Sequence, residues 1–205
     1  QFFANTSTSI MQLRNTSNNA HINLFSLAGA PAFPLDGTIN SVNIGKGANS
    51  VSGNTVLGEG ALDASVSGGN NTAIGKDALT TLTSGTHNTA VGSGSLDALT
   101  TASSNIGIGY NSLGETTTGG GNVAVGNSTI DANTTGTNNT GIGHQSLGAN
   151  TTASYNTAVG SQSLVLNTTG TQNVAVGALT LDANTTANNN TALGYAALGA
   201  NTTGT

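Results

Sequence analysis

The chain of 205 residues contains no cysteine and no tryptophan, and only three of its residues are lysine or arginine. Without cysteine it has neither disulfides nor thiolate metal ligands, which fits a disulfide-free extracellular fibre as well as a cytoplasmic protein. Eight acidic residues give a formal net charge of −5, and the lack of a basic patch argues against binding to nucleic acid or anionic membrane surfaces. No apolar run approaches the roughly 20 residues of a membrane-spanning helix, so membrane insertion is not expected.

Charged and aromatic residues are scarce, whereas glycine is abundant, with 30 residues. This composition is typical of a disordered low-complexity chain or of a fold held together by repetition. One glycine recurs at every seventeenth position without insertion, and a strict period of this kind indicates a solenoid with one coil per repeat. The recurring glycines are Gly58, Gly75, Gly92, Gly109, Gly126, Gly143, Gly160, Gly177 and Gly194.

Three further positions of the repeat are nearly constant when this glycine is counted as position 0. Position +4 is leucine or isoleucine, beginning with Leu62, Leu79 and Leu96. Position +13 is asparagine, as at Asn88, Asn105, Asn122, Asn139, Asn156, Asn173 and Asn190. Position +16 is aliphatic, as at Val91, Ile108, Val125, Ile142, Val159, Val176 and Leu193. We expect these residues to form the structural core of the repeat.

The length of the repeat predicts an all-β fold, a parallel β-solenoid of 17-residue coils. Seventeen residues are too few for two helices and a turn, whereas β-branched residues with Gly and Asn suit strands and tight turns. Each coil is predicted to contain a strand ending in N-x-A-x-G, a bend at the glycine, a short second strand carrying the +4 residue, and a Thr/Gly turn. Coils stacked about 4.8 Å apart would form a rod on the order of 40 Å long. The recurring asparagine suits side-chain ladders between coils and backbone conformations with positive φ.

The main strand of each coil has two unequal faces. Positions +14 and +16 share one face and are mostly aliphatic, whereas position +15 points to the other face and is always Ala or Gly. We interpret the small face as lining a narrow interior between two sheets, and the aliphatic face as packing against another copy of the chain. This predicts a homo-oligomer. The opposite assignment, with the aliphatic residues inside, stays open at this point.

Residues 1–39 differ in composition from the array at 40–205. They contain all four phenylalanines and both prolines. Alternating apolar residues at 10–14 and 20–25, separated by the polar run 15–19, predict a β-hairpin, and 28–37 is predicted to be a loop. This segment is expected to cap the first coil or to dock onto an upstream shaft or a neighbouring subunit.

The stretch Asn40-Ser41-Val42-Asn43-Ile44-Gly45, followed by small residues and Ser52-Gly53, resembles the head repeats of trimeric autotransporter adhesins. The longer unit N-T-A-[ILV]-G-x-x-[AS]-L is similar to arrays in phage tail-fibre proteins and bacterial surface fibres. The chain departs from the adhesin pattern at Asn43, where that family usually has Ala, and in its longer later units. The resemblance covers 40–205 and implies a left-handed β-roll, with three chains to a rod, exposed on a virion appendage or extracellular cell surface.

The expected function is therefore a structural attachment segment of a phage tail fibre or similar virion appendage that projects a receptor-binding region toward the host. The alternative is the head domain of a bacterial trimeric surface adhesin. Expected partners are further copies of the chain, other fibre or baseplate subunits, and a glycan or protein on the host cell surface. No cofactor is expected.

No constellation of residues predicts an enzyme or a metal centre. His21, His87 and His144 fall at unrelated places, and aspartates that share position +5 are at least two coils apart, too far to share one calcium ion. Position +1 varies freely and is expected to face solvent. Exposed side chains at Tyr110, His144, Tyr155 and Tyr195 are candidate contacts to a host surface.

A third reading is an ice-binding solenoid, suggested by Thr or Ser at position +9 of all nine repeats and by Thr at +8 of eight. Adjacent residues of an extended chain point to opposite faces, however, and a flat hydroxyl array needs alternate positions. The pattern therefore favours a fibre.

Overall fold

Residues 2–5, 10–14, 21–26, 37–39 and 41–204 are described by the computed structural model. The chain divides into two compact units, Gln1–Gly37 and Thr38–Thr205. The first unit holds a three-stranded antiparallel sheet of order β1-β2-β3, formed by β1 (Phe2–Asn5), β2 (Ile10–Arg14) and β3 (His21–Ser26). Strands β2 and β3 are the segments for which the hairpin is predicted, and β1 is an additional strand. The predicted turn at 15–19 and the predicted loop up to residue 36 lie outside the described residues.

The second unit is a β-solenoid, and its strands form one eleven-stranded sheet in the order β14 to β4. Strands β6 to β14 are paired in parallel with a constant offset of one repeat, so that Val123 stands beside Thr140 and Val125 beside Ile142. The strands are β4 (Gly37–Ile39), β5 (Val42–Gly45), β6 (Thr55–Gly58), β7 (Thr72–Ile74), β8 (Thr89–Val91), β9 (Ile106–Ile108), β10 (Val123–Val125), β11 (Thr140–Ile142), β12 (Thr157–Val159), β13 (Val174–Val176) and β14 (Thr191–Leu193). The predicted all-β solenoid of 17-residue coils is confirmed, with about eight coils.

The array departs from its parallel stacking at β5, which pairs with β6 in the antiparallel direction. The glycines that end these two strands, Gly45 and Gly58, lie closer together in the sequence than one full repeat. A parallel strand needs a connection that returns the chain to the same side, whereas an antiparallel strand needs only a turn. The shorter spacing therefore replaces a full coil by a reversal, which contains a single 3₁₀ turn at Ala48–Ser50.

The prediction of a second short strand around the +4 residue is wrong. In every coil this segment is a run of turns, and the +4 residue has a positive φ between 47° and 56°. Left-handed backbone at a non-glycine residue is uncommon, and it is least favourable for a β-branched side chain such as Ile130. Because the turns direct the +4 side chain inward, they close each coil within a single repeat, and the interior lies between one sheet and a wall of turns.

The solenoid interior is lined by position +15 from the sheet and by position +4 from the turns. The +15 alanines, such as Ala90 and Ala124, and the +4 residues from Leu62 to Leu181 have no exposed surface apart from Ala192, at 5%. The aliphatic residues at +14 and +16 lie outside, so the reading that places them in the interior is wrong. Serine at +3 also points inward, and the Ser112 hydroxyl donates to the Ala124 carbonyl across the same coil at 3.1 Å.

Two ladders of buried asparagines join successive coils. At position +13 the Asn139 side chain donates from Nδ2 to Asn122 Oδ1 at 3.2 Å and to the Ala153 carbonyl at 2.8 Å. Its Oδ1 accepts the backbone N–H of Asn156 at 3.0 Å. A second ladder, at position +7, is formed by Asn133, Asn150, Asn167 and Asn184. The positive φ expected at +13 falls instead on the preceding residue at +12, and none of the described +13 asparagines has a positive φ.

Candidate assembly surface

The outward face of strands β6 to β14 carries an aliphatic residue at +16 of every strand and Thr, Val or Ile at +14; we call it the aliphatic strip and define it as positions +14 and +16 of these strands. In each strand the middle residue is buried, while its two neighbours are partly or well exposed. Ile106 and Ile108 keep 38% and 39% of their surface exposed, and Leu57 keeps 46%. Positions +14 and +16 of these strands hold only Thr, Val, Ile and Leu, so the strip carries no charge.

Nearly all large apolar side chains that are exposed in the described residues lie on this face. Ten of the twelve belong to the strip, to the adjoining strand β5, or to the residues that flank the strands: Ile44, Leu57, Ile106, Ile108, Tyr110, Ile142, Tyr155, Val174, Leu193 and Tyr195. The other two are Leu166 and Leu198. Single exposed apolar residues are ordinary on protein surfaces, but a contiguous apolar patch marks an interaction surface.

The glycine at position 0 makes the strip continuous because it lets successive coils approach closely. Gly109 has a φ of +133°, and a Cβ atom built on it would lie 2.3 Å from the carbonyl oxygen of Gly126 in the next coil. A side chain would therefore meet backbone that has no room to move, in a conformation that L-residues rarely adopt. The equivalent glycines from Gly75 to Gly177 have the same close approach to their successors.

Two files of exposed residues border the aliphatic strip, one at each end of the strands. Position +12 precedes each strand and forms the +12 flank, and position +1 follows the glycine and forms the +1 flank. Tyr110, His144 and Tyr195 are exposed on the +1 flank, whereas Tyr155 is exposed on the +12 flank. The candidate contact residues are therefore divided between the two sides of the strip. The numbering from each glycine hides this division. The residue at +12 precedes the strand of its own repeat, and the residue that follows the same strand is numbered +1 of the next repeat.

No protein family, characterised protein or solved structure matches the chain. The function is accordingly argued from the geometry of the solenoid surface.

Carboxylates form a row on a different part of the surface. Asp97, Glu115 and Asp131 come from three consecutive coils, and a search of position +5 alone misses Glu115 because it stands at +6. Burial raises the pKa of Asp97 and of Asp131 above the ordinary value of 3.8, and the negative charge of Glu115 raises both further. Within the described parts of the chain, no three His, Cys, Asp or Glu residues are grouped so that they could hold a metal ion.

The threonines at +8 and +9 differ in their surroundings. The +8 residues are mostly half-buried and their hydroxyls join neighbouring coils, since Thr100, Thr117 and Thr134 each donate to the carbonyl of the +8 residue in the next coil at 3.1 Å. The +9 residues are exposed. Of these two neighbouring positions, only +9 therefore presents a fully exposed row of side chains. This row is one residue wide, whereas an ice-binding plane needs at least two rows of hydroxyl groups on one face.

None of the described helical segments is long or apolar enough to cross a membrane.

Proposed function

We propose that this chain is a structural segment of a homotrimeric extracellular fibre, a phage tail fibre or similar virion appendage, in which three left-handed β-rolls pack through their aliphatic strips. Its role is to hold a receptor-binding region away from the particle and toward the host. The aliphatic strip is the observation that carries the proposal. It is a long, uncharged and apolar face on a chain whose other exposed positions are predominantly polar, and association with like chains would remove it from water.

The dimensions of this face suit a subunit interface. Nine strands at a spacing of about 4.8 Å give a length on the order of 40 Å, and a three-residue strand is about 10 Å wide, so that the strip alone covers roughly 400 Å². With both flanks included the width doubles and the area reaches about 800 Å², which in a trimer is divided between two neighbours, whereas a standard interface buries about 800 Å² on each partner. Stable packing therefore requires the flanks as well as the strip.

The internal bonding of the rod supports a mechanical role. Each coil is joined to the next by parallel backbone hydrogen bonds, by the asparagine ladder at +13 and, over part of the rod, by the ladder at +7. Such contacts link each coil to its neighbours and resist bending without any large core. We propose no catalytic activity and no cofactor for this segment, and we propose that its partners are identical chains, neighbouring fibre or baseplate subunits and a glycan or protein of the host surface.

The alternative proposal, the head domain of a bacterial trimeric surface adhesin, is favoured by the segment 40–45. There β5 contains the Val-x-Ile-Gly part of the adhesin unit. Both proposals share the trimeric packing and differ in the structure that carries the rod.

The test is the mass of the purified chain by light scattering, with circular dichroism to monitor folding. Val125→Asp combined with Val159→Asp places two charges on the strip, and Thr118→Asp combined with Thr152→Asp places them at exposed +9 positions of the same two coils. We expect three chain masses for the parent chain and the +9 variant, and a folded single chain for the strip variant. A strip variant with unchanged mass would show that the strip is not an interface.

A further inference from the structure

We infer that residues 42–51, which we call the cap segment, close the first parallel coil of the solenoid against a second copy of the chain. The partner that this coil fits is the C-terminal coil of such a copy, and the cap segment holds the same backbone groups that the second copy would use. The end of the rod is a different surface from the aliphatic strip, so this contact is independent of the lateral association proposed above.

The coils of the array present backbone carbonyls to the coil before them. Through most of the array the +3 carbonyl accepts the +4 N–H of the preceding coil, and the +8 carbonyl accepts the +8 N–H of the preceding coil. Examples are the bond from Leu96 to Ser112 at 3.0 Å and the bond from Thr100 to Thr117 at 3.1 Å. The first coil, which begins at Gly58, follows the antiparallel strand β5 and has no parallel coil before it. Its carbonyls at Ala61 and Val66 therefore need other donors.

Two side chains of the cap segment supply these donors. Asn43 Nδ2 donates to the Ala61 carbonyl at 3.3 Å, and Asn49 Nδ2 donates to the Val66 carbonyl at 3.0 Å. Both Ala61 and Val66 are fully buried, so an unpaired carbonyl there would be costly. The two amides thus replace two of the backbone donors that a preceding coil would provide.

Gly47 brings the backbone of the cap segment onto the first coil. It has a φ of 77° and is buried, and a Cβ atom built on it would lie 2.8 Å from the Leu62 carbonyl oxygen. The next residue, Ala48, donates its N–H to that carbonyl at 3.1 Å. The first asparagine of the +13 ladder is also adapted, since the Asn54 N–H is bonded to the Val51 carbonyl at 3.4 Å, whereas later N–H groups of this ladder bond to an Oδ1 of the coil before.

The C-terminal end of the described solenoid carries the groups that fit the capped edge. Position +4 is fully buried from Leu62 to Leu181, whereas Leu198 keeps 53% of its surface exposed, because the described solenoid has no coil that covers it. If a second copy continued the array there, the Leu198 and Thr202 N–H groups would point to its +3 and +8 carbonyls. These are the carbonyls of Ala61 and Val66, which the cap segment already occupies.

A head-to-tail contact of this kind would not close. It joins two different surfaces by a translation along the rod, so each added copy exposes a new end and the assembly grows without limit. Exposed edges of sheets invite this pairing unless they are covered. The cap segment covers the edge with an antiparallel strand and two amides, and it thereby keeps rods of this chain from joining end to end.

Two variants of the full chain open the cap by acting on different atoms. The amide variant combines Asn43→Ala with Asn49→Gly, which removes both side-chain donors and suits the φ of 67° at Asn49. The backbone variant is Gly47→Ala, whose methyl group meets the Leu62 carbonyl. The matched control is Gly94→Ala, at a glycine inside the array with a φ of 65°, where the nearest atom to a Cβ lies at 3.4 Å.

Hydrogen exchange and sedimentation velocity read out the opening and its result, with circular dichroism to monitor folding. In both cap variants we expect the amides of residues 55–66 to exchange about tenfold faster than in the parent. The sedimenting mass of both should rise with concentration to about twice the parent mass or more. The parent and the Gly94→Ala control should keep one mass at every concentration. Because the two cap variants change different groups, the second decides the question if one of them fails to fold.

A second substitution tests whether growth uses the C-terminal edge. Position +14 directs its N–H to the following coil, as the Thr157 N–H donates to the Asn173 carbonyl at 2.8 Å. Thr191 holds this position in β14, and Thr191→Pro removes that donor while proline remains tolerated in an edge strand. Combined with either cap variant, Thr191→Pro should restore the mass of the parent.

The outcomes separate the cap from the proposed trimer. A cap variant with faster exchange and unchanged mass would overturn the inferred contact, as would growth that persists with Thr191→Pro. Unchanged exchange in both cap variants would show that the segment does not protect the first coil, and would overturn its role as a cap. Growth in steps of three chain masses supports both proposals, whereas growth in steps of one chain mass supports the cap and refutes the trimeric fibre.

Discussion

Replacing Gly141 by alanine tests whether the interior is packed coil by coil. Position +15 is alanine in most coils and glycine at Gly107, beside Leu96, and at Gly141, in the coil that carries Ile130 instead of leucine at +4. A Cβ atom on Gly141 would lie 2.8 Å from Ile130 Cγ1 and 2.8 Å from Thr129 Cγ2. The branched side chain of Ile130 therefore occupies the space that an alanine methyl group fills elsewhere, and the two residues should be coupled.

The size of the effect follows from two opposing terms. Gly141 is part of strand β11 and has no positive φ, so alanine there should gain about 0.5–1 kcal/mol from a less flexible unfolded chain. Overpacking a buried position costs about 1–3 kcal/mol. We expect Gly141→Ala alone to lower the free energy of unfolding by about 1–2 kcal/mol. With Ile130→Leu the pair becomes the one found at Leu181 and Ala192, where Thr180 at +3 corresponds to Thr129, and the double variant should be at least as stable as the parent.

The coupling energy is measured by urea unfolding at a fixed protein concentration, because association would otherwise shift the apparent stability. The double-mutant cycle should give about 1–3 kcal/mol. The reciprocal cycle provides the control: Leu147→Ile should be destabilising beside Ala158, and Ala158→Gly should relieve part of that loss. A coupling energy below about 0.5 kcal/mol in both cycles would refute the view that +4 and +15 share one packing space.

Three further predictions concern the ladder, the carboxylates and the threonines. Asn139→Ala leaves the buried N–H of Asn156 without its acceptor, while the Ala153 carbonyl keeps the Nδ2 of Asn150 as a donor, and should lower the free energy of unfolding by about 2 kcal/mol in urea denaturation. Asn127→Ala, at an exposed position without positive φ, should change it by less than about 0.5 kcal/mol. Since the folded pKa values of Asp97 and Asp131 are raised, these groups bind protons more tightly in the folded state, and stability should increase as the pH falls from neutral toward 3.8. Asp97→Asn with Asp131→Asn should raise stability at pH 7 and reduce this dependence, which urea unfolding at pH 7 and pH 5 measures. The purified chain should show no thermal hysteresis in an ice-growth assay.

Each of these predictions has an outcome that contradicts it. Equal losses from the two asparagine variants would mean that the ladder contributes no more than an exposed amide. If the free energy of unfolding of the variant with Asp97→Asn and Asp131→Asn depended on pH as strongly as that of the parent, other titratable groups would be responsible for the dependence. Measurable hysteresis would restore the ice-binding interpretation of the exposed +9 row.

The sequence predicts the period, the strand and its two faces, because these depend on spacing and on the alternation of side chains. From β7 onward position +15 never exceeds alanine, and that limit alone indicates which face is inside. The conformation of the +4 residue could not be predicted, since leucine has no intrinsic preference for positive φ. The positive φ at +4 is imposed by the closure of each coil within a single repeat, and it opposes the intrinsic preference of leucine for negative φ. The reversal at β5 is visible in the short spacing from Gly45 to Gly58 once that spacing is compared with the period.

The division of the exposed residues between two flanks was also hidden in the linear pattern. Tyr155 and Ser161 border the same strand, yet they belong to different repeats when counting starts at the glycine. A repeat counted from the predicted strand would have placed these two residues at opposite ends of that strand.

The regular ladder has a consequence for the length of the molecule. Side-chain hydrogen bonds between coils join residues 14 to 18 positions apart, so each coil interacts mainly with the one before and the one after. Removing one whole coil, such as residues 127–143, would join two surfaces that already fit and shorten the rod by about 4.8 Å. Removing one residue fewer would turn the next strand over and place its aliphatic residues in the narrow interior. The length of this solenoid can therefore change only in steps of one whole coil.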